Sequence, residues 1–420
     1  MAARVREELL HAWRGYETYA WGHDELRPLS RTPHDWHGAP LLMTPVDALD
    51  TLLLMGLTEE AGKARALIAE RLTFDQDASV KNFEVTIRLL GGLLSGYQMT
   101  GDARLLRLAE DLGTRLLPAF DSPTGMPYMY VNLRTGKAEG NRSNPAEIGT
   151  LLLEFGTLAR LTNKPVFYDR AKRALVELYE RRSPIDLVGE EIDVETGKWA
   201  NPSSHVGGGI DSYYEYLFKA SQLFGDRDCA RMWRRSARAL NKHLADEAPA
   251  GLWYGQVEMT TGARTATEFG ALHAFLPGLL ALGGDIERGR RLQDSCFKMW
   301  SLHGIEPEVL NYRTLEVVHP GYPLRPEIAE SAYYLHRLTG DPRYLEMGRT
   351  IFESLITHCR TEAGYAGLKD VVSKEKSDLM PSYFLAETLK YLYLLFAPGD
   401  TLNLDRTVFN TEAHPLRRTW

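Results

Sequence analysis

Cysteine is scarce. Only Cys229, Cys296 and Cys359 occur in 420 residues, and they lie far apart. One pair could bridge, but neither a disulfide framework nor a Cys-x-x-Cys metal site can be built. Oxidising and reducing compartments both stay open. Long apolar runs are absent too. Residues 52–54 and 391–396 are among the longest, far short of the ~20 that span a bilayer. There is no basic block: 49 Lys and Arg stand against 56 Asp and Glu, a net charge of −7. That balance argues against general nucleic-acid binding and suits a bound cation. Residues 1–20 are charged and amphipathic and do not read as a signal peptide. No Gly-x-Ser-x-Gly, P-loop, Rossmann fingerprint or His-Glu-x-x-His occurs, and the twelve histidines show no metal-ligand spacing.

What is present is an ordinary globular composition, 44% hydrophobic and 25% charged, which excludes wholesale disorder. A repeat organises it. Turn-like residues recur at Gly56, Gly101-Asp102, Asn163-Lys164-Pro165, Gly225-Asp226, Gly284-Asp285, Gly340-Asp341 and Gly399-Asp400. They mark seven units of about 60 residues, a period that points to repeated helical pairs. Leu105, Leu108, Ala109, Leu112 and Leu116 follow helical spacing after one such turn, as do Tyr344, Met347, Ile351 and Leu355 after another. Glycine ends one helix and Asp or Thr caps the next. Between pairs run long return segments, with hairpins expected around Gly136, Gly197 and Gly262. The irregular returns and the absence of a Pro/Ser-rich linker favour one all-α domain over 1–420. We expect a closed (α/α)7 barrel with long loops and short β-hairpins at one end.

Carboxylates in apolar helical stretches are the candidates for chemistry. Glu84 is followed by Arg88 at i+4, which spacing alone also explains as a helix-surface ion pair; the neighbouring run 89–94 suggests a helix buried all round. Asp211 and Glu215 follow Gly207-Gly208-Gly209, where Asp211 reads equally well as a helix N-cap. Glu327 and Glu330 follow Pro326, where a helix dipole alone would favour them. Glu25, Glu147 and Glu387 are further candidates. Many carboxylates among 8 Trp, 20 Tyr and 14 Phe suit acid/base work on a sugar.

Taken together, seven ordered segments resemble glycoside hydrolase family 47, the class I α-1,2-mannosidases: 19–30 (YAWGHDELRPLS), 46–57 (VDALDTLLLMGL), 83–94 (FEVTIRLLGGLL), 209–216 (GIDSYYEY), 324–331 (LRPEIAES), 385–396 (LAETLKYLYLLF) and 408–415 (VFNTEAHP). The segments 151–158 (LLLEFGTL) and 272–278 (LHAFLPG) are similar to the branch of ER degradation-enhancing α-mannosidase-like proteins. The resemblance implies an (α/α)7 barrel, a Ca²⁺ ion and inverting hydrolysis of terminal α-1,2-linked mannose. It implies Glu84 as general acid acting through a water, Glu327 as general base and Asp211 as a third essential carboxylate. Arg88 would tune Glu84. Thr411 would bind Ca²⁺ through its hydroxyl and carbonyl. Glu25, Glu147, Glu387 and Glu412 would hold water ligands or sugar hydroxyls, and Tyr383 would lie under the sugar. The implied partner is an α-mannoside glycan or mannobiose, with no nucleic acid, no membrane span and a monomeric chain.

The chain departs from that pattern in places. Gly270-Ala271 replaces an Asp-His pair. Ala274 replaces one cysteine of the family disulfide, whose partner position is Cys296. Gly209 replaces an arginine that reads the glycan branch, and Pro381-Ser382-Tyr383 replaces Glu-Ser-Phe. These departures leave two rivals to the enzyme: a mannose-glycan-binding quality-control protein with little turnover, and a solenoid scaffold.

Overall fold

The computed structural model describes residues 1–420. Its turns follow from the punctuation residues. Gly101 (φ 72°), Asn163 (56°), Gly225 (66°) and Gly340 (68°) each end a helix in the left-handed region, which glycine and asparagine enter at least steric penalty. At three turns an aspartate then caps the next helix. Asp102 accepts the Arg104 N–H, Asp226 the Cys229 N–H and Asp285 the Arg288 N–H.

The chain forms two compact units, one of residues 1–36, 245–256 and 266–403, the other of 37–244, 257–265 and 404–420. The first holds three helix pairs: Leu276–Leu282 with Ile286–Leu302, Glu327–Thr339 with Arg343–His358, and Leu389–Phe396 with Ala2–Tyr19. The second holds four: Met43–Leu54 with Thr58–Arg71, Gly91–Thr100 with Ala103–Leu116, Leu152–Thr162 with Pro165–Glu180, and Asp211–Phe224 with Arg227–His243. Seven pairs match the seven punctuation points, with one correction. Gly399-Asp400 introduces no further helix; the first helix of the chain partners the last.

Within a pair the two helices differ. Every residue from Met43 to Leu52 and from Leu152 to Ala159 is buried. The partner helices are amphipathic: Leu105, Ala109, Leu112 and Leu116 are buried on Ala103–Leu116, while Leu108 is only half-buried. Candidate carboxylates on the buried helices therefore lie among apolar neighbours, where each must be paired, protonated or hydrated.

Aromatic side chains fill the first unit, with Trp13, Trp253, Trp300 and Tyr322 fully buried and Trp253 stacked on Tyr312 at 5.7 Å. Each such side chain contributes roughly 1.5–3 kcal/mol by burial. In the second unit Phe155 meets Phe120 edge-on at 5.4 Å.

The strands are short and antiparallel. The turns at Gly136 (φ 69°), Gly197 (71°) and Gly262 (72°) close as expected, with Gly136 N–H bonded to Asn132 O, Gly197 N–H to Asp193 O and Gly262 N–H to Glu258 O. In the second unit Thr407–Phe409 pairs with Pro415–Arg417, and the five residues between them form a loop that carries Thr411. All three cysteines are buried and free. No helix is long and apolar enough to cross a membrane.

Candidate active site

Glu84 lies in the short helix Asn82–Val85, which runs into a π-turn at Thr86–Leu90 before the α-helix resumes at Gly91. Such widened turns occur often at functional sites. Arg88, on that turn, donates to Glu84 Oε2 from Nε and from Nη2, both at 3.0 Å. Its Nη1 donates to Glu412 and lies 3.6 Å from Asp47. Arg88 is only 8% exposed, so the pair is not the surface pair that spacing alone allows. The Glu84 side chain keeps 21% of its surface exposed, enough for water to reach it.

Glu412 is buried, and burial pushes its carboxyl up to about 8 against the pull of Arg88. Beside it Thr411 is half-buried, with its N–H 3.4 Å from the Tyr216 hydroxyl. The loop bends through Ala413 at φ 57°. His414 behind it is fully buried, its ring nitrogens 2.7 Å from Asp50 and 3.2 Å from Asp47.

Glu147 lies on Pro145–Gly149, a turn capped by the Asn144 side chain, which accepts the Glu147 N–H at 2.9 Å. Lys81 Nζ stands 2.6 Å from its Oε1, while Oε2 is buried without a partner. Burial raises this carboxyl to about 7; Lys81 opposes the rise, and Glu84 and Asp211 add to it. Asp211 is the first residue of its helix rather than the N-cap, a position held by Ile210. Its Oδ1 accepts the Ser212 N–H at 2.8 Å. Burial pushes it to about 7, and Glu215 adds to the rise. This unit thus holds Glu84, Arg88, Glu147, Asp211, Thr411 and Glu412.

The other unit holds Glu25, Glu327, Tyr383 and Glu387. Glu327 opens the helix Glu327–Thr339 behind Pro326 as N-cap, with Glu330 also in the first turn. Both are buried, so helix-dipole stabilisation and a site role are compatible. Glu387 lies in a second π-turn, Phe384–Thr388. Tyr383 donates to Pro323 O at 2.5 Å and Thr388 Oγ1 to Leu324 O at 2.7 Å, which ties this turn to the segment before Glu327. Glu25 accepts the Ser382 N–H at 3.2 Å and lies 3.2 Å from His34 Nδ1. Arg325 pairs with Glu308 and lies over the Tyr383 ring at 5.9 Å.

Several polar groups were not singled out from the sequence. Glu154 is fully buried and accepts from Tyr216 Oη and Asn410 Nδ2. Lys219 pairs with Glu215 inside the larger unit. Glu306 is fully buried with neither oxygen partnered, and burial holds it well above the usual carboxylate range. An ionisable residue inside an apolar run, as in Val46–Ala48 or Leu151–Phe155, is the signal that could have flagged Asp47 and Glu154. The motif departures also have places. A Cβ on Gly270 would meet Glu308 O and His273 Nδ1 at 3.3 Å. Gly209 has φ 89° and lines a cleft of about 340 Å³ with Arg142, Asn144, Glu190 and Asn201; a Cβ there would come no closer than 3.7 Å to Asn144.

Comparison with known proteins gives three findings. The family model described as Glycosyl hydrolase family 47 matches residues 8–418. ER degradation-enhancing alpha-mannosidase-like protein 2 of Homo sapiens is 40% identical over 98% of this chain and 77% of its own length. Mannosyl-oligosaccharide 1,2-alpha-mannosidase MNS1 of Arabidopsis thaliana is 38% identical over 99% of this chain and 78% of its own. Among solved structures, an alpha-1,2-mannosidase from Trichoderma reesei matches with a TM-score of 0.91 and 28% identity, covering 99% of this chain and 98% of that one. These findings bear out the resemblance carried by the motifs and the all-α (α/α)7 barrel class it implied.

Proposed function

The chain belongs to glycosyl hydrolase family 47, and from that premise we propose that this glycoside hydrolase is a Ca²⁺-dependent, inverting exo-α-1,2-mannosidase. It would act as one monomeric domain, 1–420, on terminal α-1,2-linked mannose of mannose-rich glycans or of mannobiose. The names of its relatives support the substrate class. The observation that carries the assignment of roles is the Glu84–Arg88–Glu412 chain of charges, buried except where Glu84 meets solvent.

In this reading Glu84 gives a proton through a water to the leaving glycosidic oxygen as the bond to the anomeric carbon breaks. Arg88 holds Glu84 in place. Glu327 takes the proton of the water whose oxygen forms the new bond on the opposite face, so the product is β-mannose. Asp211, raised to about 7, is shared between its two protonation states near neutrality and orients water in either role. Tyr383, fixed through its hydroxyl, offers its ring to the sugar.

The donor set suits a hydrated hard cation. Thr411 offers hydroxyl and carbonyl oxygens, and Asp47, Glu84, Glu154 and Glu412 bring four carboxyl groups against Arg88 and His414. No group of three or more His, Cys, Asp or Glu is arranged as a chelating cage. Thr411 would hold Ca²⁺ through its hydroxyl and carbonyl, and Glu25, Glu147, Glu387 and Glu412 would hold waters or sugar hydroxyls. When bound, the ion supplies a fixed positive charge that binds and orients the mannose hydroxyls.

The test is mannose release from α-1,2-mannobiose and from a nine-mannose N-glycan, with Ca²⁺, with chelator and after Ca²⁺ is restored, the anomer followed by NMR. β-Mannose that stops with chelator and returns with Ca²⁺ is expected. A second reading, a mannose-glycan binder with little turnover, is favoured by Gly270, where the neighbouring Glu308 O and His273 leave little room for an acidic side chain. Saturable glycan binding without release, unchanged in Glu84→Gln, would select it.

A further inference from the structure

The side chain of Asn410 uses its whole hydrogen-bonding capacity. Its Nδ2 donates to Ile87 O at 2.8 Å and to Glu154 Oε1 at 2.7 Å. Its Oδ1 accepts the Glu412 N–H at 3.0 Å and the His414 N–H at 2.7 Å. A carboxamide offers two donors and two lone pairs in one plane, and no other side chain of this size supplies both. Asn410 is fully buried, so each of these bonds, once broken, leaves an unsatisfied group in a dry interior.

The two sides of the amide belong to different parts of the site. On one side is the loop that carries Thr411 and Glu412. On the other is the π-turn between Glu84 and the α-helix from Gly91. In a regular α-helix Ile87 O would accept the Gly91 N–H. Here that N–H turns to Thr86 O and Arg88 O, and Ile87 O is left to Asn410. Gly91 leaves the space: a Cβ there would stand 2.6 Å from Asn410 Nδ2 and 2.9 Å from His414 Cδ2.

We propose that Asn410 is a positioning residue whose single carboxamide ties the Thr411 loop to the π-turn carrying Arg88, so that ion binding and placement of the Glu84 acid are set together. The proposal rests on the functional reading above for its consequences in catalysis. Its structural content stands on the four hydrogen bonds.

Two variants test it from opposite sides. Asn410→Asp keeps the acceptor for the loop and loses both donors. Gly91→Ala drives a methyl group into the amide without altering Thr411, Glu84 or Arg88. Amide hydrogen exchange, Ca²⁺ titration by calorimetry and mannose release are measured on wild type and both variants. In each variant residues 84–92 and 407–417 should exchange at least tenfold faster together, while the helix Glu327–Thr339 does not change. Ca²⁺ affinity should fall at least tenfold, and kcat should stay at least tenfold low when Ca²⁺ is saturating. Faster exchange confined to 407–417, with kcat restored by saturating Ca²⁺, overturns the proposal. If neither variant folds, wild type alone decides: Ca²⁺ must slow exchange in 84–92 as well as in 407–417, and slowing in the loop alone refutes the coupling. If wild type neither binds Ca²⁺ nor releases mannose, the functional reading has failed, and exchange in the variants alone supports or overturns the tie.

Discussion

The two units of the chain hold their acids differently. In the larger one, Glu84, Glu412 and Asp47 meet Arg88, Glu147 meets Lys81, Glu215 meets Lys219, and Asp50 and Asp47 meet the His414 ring, while the buried Asp211 and Glu154 are held by hydrogen bonds. In the other, Glu306 has no hydrogen-bond partner and keeps its proton, pushed up by burial and by the neighbouring Glu327. A paired carboxylate is fixed in place by its cation, even where burial raises it, as at Glu147 and Glu412. A lone one has no cation to oppose the rise, and burial drives it toward its neutral form. The pairing in one unit therefore fixes where its acids stand, and the lone acid marks where burial works against charge.

The largest effect should come from replacing the carboxyl group of Glu84 or Glu327. Either substitution to Gln should lower kcat by roughly 10²–10⁴-fold, the usual worth of a general acid or base, with glycan binding retained by calorimetry. A small loss for Glu327→Gln alone would break the symmetry of roles between the units. Next comes Arg88→Met. It strands Glu412 and takes one partner from Asp47, and urea unfolding should show a loss of about 3–5 kcal/mol, as for breaking a buried ion pair. The opposite sign is expected for Glu306→Leu, which removes an unpartnered buried group and should raise stability at pH 7 by about 1–3 kcal/mol.

The comparison sharpens with pH. The folded state raises the Glu306 pKa above its ordinary 4.5. The unfolded chain therefore loses this proton first, and stability falls as pH rises above 4.5 toward the folded value, by up to about 1.4 kcal/mol per pH unit. In the other unit Asp226, paired with Lys172 and bonded by Tyr168, is lowered from 3.8 to about 2. Its stabilisation is present above pH 3.8 and is lost as pH falls toward 2. Urea midpoints across pH 2–8 for wild type, Glu306→Gln and Asp226→Asn should show each slope vanish in its own variant. The smallest effect belongs to Gly209→Arg. The side chain has space but meets a φ of 89°, so we expect a few-fold change in preference among glycan branches and a stability loss of about 1 kcal/mol.

The helical pairs were legible because their turns are chemical: glycine or asparagine at positive φ, followed by an aspartate cap at Asp102, Asp226 and Asp285 or by a proline in the first turn at Pro165. Glu84 and Arg88 were legible because i, i+4 spacing survives even though the turn between them is π rather than α. Asn410 was not. Its partners Ile87 and Glu154 lie more than 250 residues away in sequence, and no local pattern encodes that meeting. Glu306 stayed hidden for a related reason. The stretch 303–308 has no periodicity, and only tertiary packing around Cys296 and Tyr322 makes its carboxyl dry.

The larger unit begins at residue 37, yet 404–420 belong to it. Its buried His414, set between Asp47 and Asp50, meets residues 367 and 364 positions earlier in sequence. The first helices of that unit must therefore wait, with two acids and the seat for Asn410 unfilled, until residues 404–420 have been made and have docked. A chain cut before residue 404 would lack Thr411, Asn410 and His414 together. Such a product carries an exposed defect by which cellular proteases can distinguish it.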